Sequence, residues 1–408
     1  MKLLKLSIVL LVFAVCFCPA KSNLVANAQS ETSAIVFDFV FDNKSIKFNS
    51  FDICANKDLL KKWNRSAGGK EAKKTCDKIL KMGFSYTTCA QFLFPGMEQV
   101  FDALEQKINR PPQNAKLVFA GSTKTIASEV FGKRFDREET AKKLIENLSD
   151  STNKIEVAID KIEPQFCYAD IANCACLKGK FSTWCGSSSL ERKNNIKVAL
   201  RALDGIQILP SETFSFNATT GSRTEEKGYK KAKIISNGKY VEGTGGGVCQ
   251  VSTTLYNAAL LSGLEIAEVH QHSLPVSYVE PSRDAMVSGY SSDLKIKNNG
   301  EMPVFINAVF ANEQDIVIKI YGQKNDLTYS VESKVIKTIE ACSDEIVKDK
   351  SLAPIELKKG EEYRISAPKN GVESESFLIE KDTNGKTIRR TKIRHNKYNP
   401  TKGVVVVG

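Results

Sequence analysis

The residues best placed for chemistry meet at one junction. Gly243-Thr244-Gly245-Gly246-Gly247-Val248-Cys249 leads into Gln250–Ser262, where Val251, Leu255, Ala258 and Ala259 share a face and Gly263 follows. That spacing predicts an amphipathic helix with Cys249 at its entrance. A thiol there feels the positive end of the helix and nearby amide N–H groups. Both favour the thiolate, and the amides could hold an oxyanion formed on a carbonyl. Glycines would let a substrate backbone approach closely. Two plainer readings compete. A phosphate cradle lacks the Gly-Lys-Ser/Thr that should follow the glycines. Cys249 as a buried or disulfide-bonded core residue stays open at this level.

A nucleophilic thiol needs a base, and the chain holds three histidines. His395 falls in the basic stretch Arg389–Lys397 and reads as a solvated side chain. His270 and His272 follow the helix in LEIAEVHQHSLP; in a strand both would point to one face, so either could meet Cys249. A structural histidine pair is the plain alternative. His-x-His with Cys249 is also a metal spacing, weakened by the lack of a carboxylate in a recognisable metalloenzyme pattern. No metal or cofactor is expected. Asp284, in PSRDAMV, could orient a histidine or bind a substrate amine, or be an exposed turn residue.

These residues need elements and a compartment. At 408 residues, 42% hydrophobic and 26% charged, the chain is globular and long enough for two or three domains. The net charge of +11 favours anionic partners, but no interleaved aromatic-basic motif points to nucleic acid. Lys2 and Lys5 precede the apolar run Leu6–Ala20, and Ala26-Asn27-Ala28 offers small residues to a peptidase. Residues 1–28 are therefore a predicted secretory signal peptide, cut after Ala28. An uncleaved anchor is the alternative, although the run is short for a membrane span. No stable membrane span is expected after cleavage. Loss of Lys2, Lys5, Lys21, Cys16 and Cys18 takes the charge to +8 and the cysteines from eleven to nine. Outside the cytosol most of the nine should pair as disulfides, leaving one odd thiol.

Ile35–Ile46 alternates as a half-buried strand, and Met97, Val100, Phe101, Leu104 and Ile108 form a helical stripe. Asp136 and Glu139 resemble a capping box opening a helix with Ala141, Leu144, Ile145 and Leu148 on one face. Cys167, Cys174, Cys176 and Cys185 suggest a disulfide-stapled connector, with a structural zinc site as the alternative. Strands are expected over Leu294–Tyr321, and Asn384-Gly385 marks a hairpin in a strand-rich tail. The expected fold is α+β and multidomain: an N-terminal α+β domain at 29–165, a connector at 166–190, a mixed α+β domain at 191–322 and an all-β module at 323–408.

TFSFNATTGSRTEEKGYKKAKIISNGKYVEGTGGGVCQVSTTLYNAALLSGLEIAEVHQHSLPVSYVEPSRDAMV resembles the core of the VanW domain, with GGGVCQVSTTLYNAALL and HSLPVSY nearly unbroken. Arg110–Ile171 is similar to the peptidoglycan-binding-type domain that often precedes VanW. The tail resembles the small β module named for five glycines. Cys185 departs from the family, where a small polar residue is more usual. The resemblance implies an L,D-transpeptidase that makes 3-3 cross-links between peptidoglycan stem peptides through a thioester on Cys249. His272, inside HSLPVSY, is carried over as the base, with His270 as the other candidate. Gly247, Gln250, Ser252, Thr253 and Asp284 are the expected substrate contacts. The setting implied is the bacterial wall or cell surface, where anionic wall polymers would suit the positive charge. The rivals are a cysteine peptidase acting on the same peptides and a non-catalytic wall-binding protein.

Overall fold

The computed structural model describes residues 36–49, 68–121, 123–148, 152–236, 239–289, 291–324 and 326–408. The expected signal peptide and Cys54 lie outside the described residues. β1 (Val36–Phe41) and β2 (Lys44–Asn49) form an antiparallel hairpin. The alternation over 35–46 predicted a single strand. Instead Asp42 and Asn43, at φ 47° and 60°, close a two-residue turn, a conformation these two residue types tolerate.

α1 (Gly68–Lys81), α2 (Tyr86–Leu93) and α3 (Met97–Ile108) follow, and α3 buries the whole predicted stripe from Met97 to Ile108. Next come the hairpin β3 (Lys116–Ala120) and β4 (Thr123–Ala127), β5 (Gly132–Phe135) and α4 (Arg137–Glu146). The Asp136 carboxylate accepts from the Glu139 N–H at 2.9 Å and caps α4. β6 (Thr152–Glu156) then pairs in parallel with β1, and β7 (Ile159–Ile162) pairs with β5. Phe37, Phe39, Phe101, Leu104, Leu144 and Ile155 share one core.

The chain divides into two compact units, 1–110 with 133–161, and 111–132 with 162–408. The β3–β4 hairpin thus groups with the second unit, where Leu117 joins Phe166, Ile171, Cys174, Phe305 and Tyr321 in a small cluster.

In the second unit α5 (Tyr168–Asn173), β8 (Cys176–Trp184) and α6 (Leu190–Leu203) lead to short β9 (Gln207–Ile208), β10 (Thr213–Ser215) and α7 (Phe216–Thr220). The hairpin β11 (Lys231–Ser236) and β12 (Lys239–Thr244) runs straight into α8 (Val248–Leu261). β13 (Glu265–Glu268), β14 (Lys295–Lys297), β15 (Val304–Ala311) and β16 (Asp315–Gly322) complete this part, with sheet order β8-β16-β15-β9. The helix predicted as amphipathic is buried almost all round. Its apolar residues Val251, Leu255, Ala258 and Ala259 join the main core, and its polar ones find internal partners, as buried polar groups must.

β17 (Thr328–Ile339), β18 (Glu345–Val347), β19 (Glu362–Ser366), β20 (Gly371–Lys381), β21 (Thr387–Tyr398) and β22 (Val404–Val407) form two three-stranded sheets, β17-β20-β21 and β18-β22-β19. The Asn384-Gly385 turn, with Gly385 at φ 78°, joins β20 to β21 as predicted. Among the described residues no helix is long and apolar enough to cross a membrane.

The expected disulfides are not formed among the described residues: Cys76, Cys89, Cys167, Cys174, Cys176, Cys185, Cys249 and Cys342 are all free thiols. Cys185 cannot pair with Cys174, because β8 extends for nine residues, about 30 Å, between them. Cys174 is buried in the small cluster, its thiol pushed up to about 11 by burial, while Cys185 is buried in the main core. A four-cysteine zinc cage is excluded by the same separation. Cys76 and Cys89 are fully buried together between α1 and α2, and behave as small apolar groups.

Candidate active site

α8 sets the site. Its N-cap is Gly247 and Cys249 is its second residue, so the thiol stands at the positive helix end. The protein's own packing requires the glycines. A Cβ on Gly245 (φ 89°) would meet Arg223 Cδ at 3.0 Å, and one on Gly246 would meet the Lys233 carbonyl at 2.7 Å. A Cβ on Gly247 (φ 107°) would meet Arg192 Cγ at 3.0 Å and Ile196 Cγ1 at 3.1 Å. The run expected to admit a substrate backbone therefore first admits β11, α6 and two arginine side chains. Asn195 locks the turn, donating to Gly246 O (3.0 Å) and Lys230 O (2.9 Å) and accepting from the Lys230 N–H (2.7 Å).

The structure brings Cys249, His272 and Asp284 into one line. Cys249 Sγ lies 3.3 Å from Val287 O, with His272 as its other polar neighbour. His272 Nδ1 lies 2.6 Å from Asp284 Oδ2, which also accepts the His272 backbone N–H at 2.7 Å. With Nδ1 committed to the carboxylate, Nε2 is the nitrogen left for the thiol. His270 bridges Met286 in antiparallel register, which sets His272 opposite Asp284 two residues on. His270 itself turns to Glu268, 2.8 Å from Nε2, and takes no part in the line. His395 meets Glu373 and Glu375 on β20, at 2.9 and 3.2 Å.

Asp284 is thus a partner of His272, where a substrate contact was also expected. It is 1% exposed and His272 5%. Its second oxygen accepts from the Tyr398 hydroxyl, which itself accepts from the Ser282 N–H at 2.8 Å and Asn396 Nδ2 at 3.2 Å. Ser252 and Thr253, also expected at the substrate, are fully buried. Ser252 Oγ donates to Ala285 O at 2.6 Å and Thr253 Oγ1 accepts from the Ala285 N–H at 2.9 Å, pinning the residue beside Asp284 to α8. Gln250 borders the cleft, but its amide is committed to Thr183 Oγ1, Trp184 O and Arg192 Nη1, at 3.1, 2.9 and 2.9 Å.

Burial opposes charge throughout this line, and the partners overcome it. Burial pushes the Cys249 thiol up, but the hydrogen bond and charge of His272, with Arg223 beyond, bring it below its ordinary value. Burial pushes His272 down, yet Asp284 and the thiolate raise it to about 9. Burial pushes Asp284 up, and His272 and Tyr398 hold its carboxyl below the ordinary range. The shifts run toward a thiolate–imidazolium pair over a carboxylate. The cleft above it, about 900 Å³, is also bordered by Gly247, Arg192, Arg223 and Tyr278. Burial and the neighbouring Cys249 push the Tyr278 phenol well above its ordinary value.

Arg223 and Tyr278 lie inside the stretch that suggested the family, but nothing in their local spacing marks them. Tyr398 is 114 residues from Asp284 and has no local signal at all. Among the described residues no group of three or more His, Cys, Asp or Glu is arranged to hold a metal ion.

Fold and site together define a multidomain α+β protein whose central domain carries a thiol–imidazole–carboxylate line at the start of a buried helix. The chain belongs to the VanW-like family: residues 191–321 match the family model described as VanW like protein, and residues 96–156 match that of a peptidoglycan binding domain. It is 38% identical over 206 residues to the uncharacterized protein YoaR of Bacillus subtilis, covering 50% of this chain and 67% of that one. It is 30% identical over 136 residues to the vancomycin B-type resistance protein VanW of Enterococcus faecalis, covering 32% of this chain and 49% of that one. Two solved structures, an IgA1 protease G5 domain and HP0197-G5, each cover 21% of the chain at 20% and 15% identity, with TM-scores of 0.14 and 0.12. The all-β character of the tail rests on its own strands. The two family matches make this a cell-wall-associated protein.

Proposed function

We propose that the protein is an exported peptidoglycan L,D-transpeptidase that joins stem peptides by 3-3 cross-links through a thioester on Cys249. The observation that carries this reading is the buried Cys249–His272–Asp284 line opening on a cleft. The Cys249 thiolate attacks the carbonyl of the third, diamino residue of a donor tetrapeptide. The Cys249 N–H receives the oxyanion, since Val248 and Gln250 commit theirs to Gly245 O and Gly247 O. The His272 imidazolium protonates the departing amine, the terminal D-Ala leaves and the thioester remains. The amine of a second stem then attacks the thioester and gives its proton to neutral His272. Collapse expels the thiolate and restores the ion pair. Asp284 holds the ring and its charge throughout.

The test is purified protein with tetrapeptide donor and acceptor stems, read by mass spectrometry. Cross-linked dimers are expected from the native chain and none from Cys249→Ala. Equal dimer formation by the variant sinks the thiol mechanism, and shortened stems without dimers replace transfer by hydrolysis on the same residues.

A further inference from the structure

The cleft at Cys249 carries one sign of charge. Arg192, Arg223 and Lys233 border it, and among the described residues no aspartate or glutamate does. Neither arginine meets a carboxylate among the described residues. Arg192 Nη1 donates to Ser188 Oγ at 3.1 Å and Gln250 Oε1 at 2.9 Å. Arg223 Nη1 donates to Val287 O at 3.1 Å, Nη2 donates to Asn217 Oδ1 at 3.0 Å, and the buried Nε has no acceptor. A guanidinium has five N–H donors, so Arg223 retains hydrogen-bonding capacity that the protein does not fill. Val287 O lies 3.1 Å from Arg223 Nη1 and 3.3 Å from Cys249 Sγ, which makes cation and nucleophile neighbours across one oxygen atom. Gly245 is what lets the Arg223 chain lie there, since a Cβ would strike its Cδ, Cβ and Cγ.

We propose that Arg223, with Arg192 beside it, binds a carboxylate of the donor peptide: the free α-carboxylate of the residue that departs when Cys249 attacks. That group stands three bonds beyond the scissile carbon, within about 4 Å by standard bond lengths. A guanidinium one oxygen away from the sulfur matches this reach, and its planar fork matches a carboxylate. The cleft then accepts only the last peptide bond of a donor chain. This selectivity rests on the acyl-transfer reading, and two measurements separate its failure from that of the anion site.

The first needs no turnover. Cys249 in the full chain is alkylated with iodoacetate or with iodoacetamide, the sulfur displacing iodide in each, and the rates are read by intact mass. Arg223→Gln should lower the iodoacetate-to-iodoacetamide rate ratio about tenfold, the size expected for one lost charge-assisted hydrogen bond. Arg223→Lys, which keeps the charge and loses the fork, should lower it less and serves if the glutamine variant does not fold. An unchanged ratio in both variants overturns the site. The second compares a tetrapeptide donor ending in a free acid with its C-terminal amide. The native chain should prefer the acid by about tenfold in kcat/KM, and Arg223→Gln should erase the preference. Equal use of both donors by the native chain overturns the proposal. An intact alkylation contrast with neither donor consumed keeps the anion site and removes the transpeptidase reading.

Discussion

His272 brings the Cys249 thiol down and Asp284 helps bring His272 up, so a change at one of the three groups moves the other two. His272 is raised from 6.5 to about 9; its contribution to stability is complete below the ordinary imidazole value and is lost as pH rises through about 9. Cys249 and Asp284 are lowered, so each contributes above its ordinary value and loses that contribution as pH falls through its folded one. Alkylation of Cys249 by iodoacetamide should therefore persist below the ordinary thiol range, and His272→Gln should move its midpoint upward. A midpoint that does not move would show that the histidine does not support the thiolate. Asp284→Asn should reduce kcat by about 100-fold or more, since the ring loses both its orientation and the charge that favours the imidazolium.

At the scale of elements, the start of α8 and the strand β21 do the positioning. Gly247→Ala forces φ 107° on a residue with a Cβ and drives it against Arg192 and Ile196. About 1–3 kcal/mol of stability should be lost, read as a lower Tm. Tyr398 on β21 donates to Asp284 and accepts from the Ser282 N–H. Tyr398→Phe removes the donor but keeps the ring. About 1.5–3 kcal/mol is the usual worth of a hydrogen bond to a charged group, so Tm should fall and kcat drop about tenfold or more, with KM little changed. A KM effect with kcat intact would place Tyr398 at the substrate.

The tail looked in the sequence like an appended module. Ser282 donates to the Ser374 backbone carbonyl at 3.1 Å and its own carbonyl accepts from Ser376 Oγ at 2.9 Å, so β20 and β21 brace the loop that carries Asp284. Ending the chain after Gly322 should therefore abolish turnover although Cys249, His272 and Asp284 all remain. Full activity in the truncated chain would mean that the brace is dispensable. The proposed export has its own readout: signal cleavage after Ala28 should leave Gln29 as the first residue, a mass easily distinguished from that of the full chain, and an intact mass would remove it.

What the sequence determined by itself is what neighbouring residues decide. The α3 stripe, the Asp136 cap, the Asn384-Gly385 turn and Cys249 at a helix start all depend on spacings of a few residues, and each was legible there. The Asp42-Asn43 turn was equally local but was hidden by the unbroken alternation around it. Choosing between two histidines two residues apart required the pairing of His270 with Met286, which places His272 against Asp284. Tyr398, Arg223, the burial of Ser252 and Thr253, and the separation of Cys174 from Cys185 likewise depend on which strands meet. Only the tertiary structure decided these, because a hydrogen bond or a desolvated charge is set by the partners that folding brings within about 3 Å, however far apart they lie along the chain.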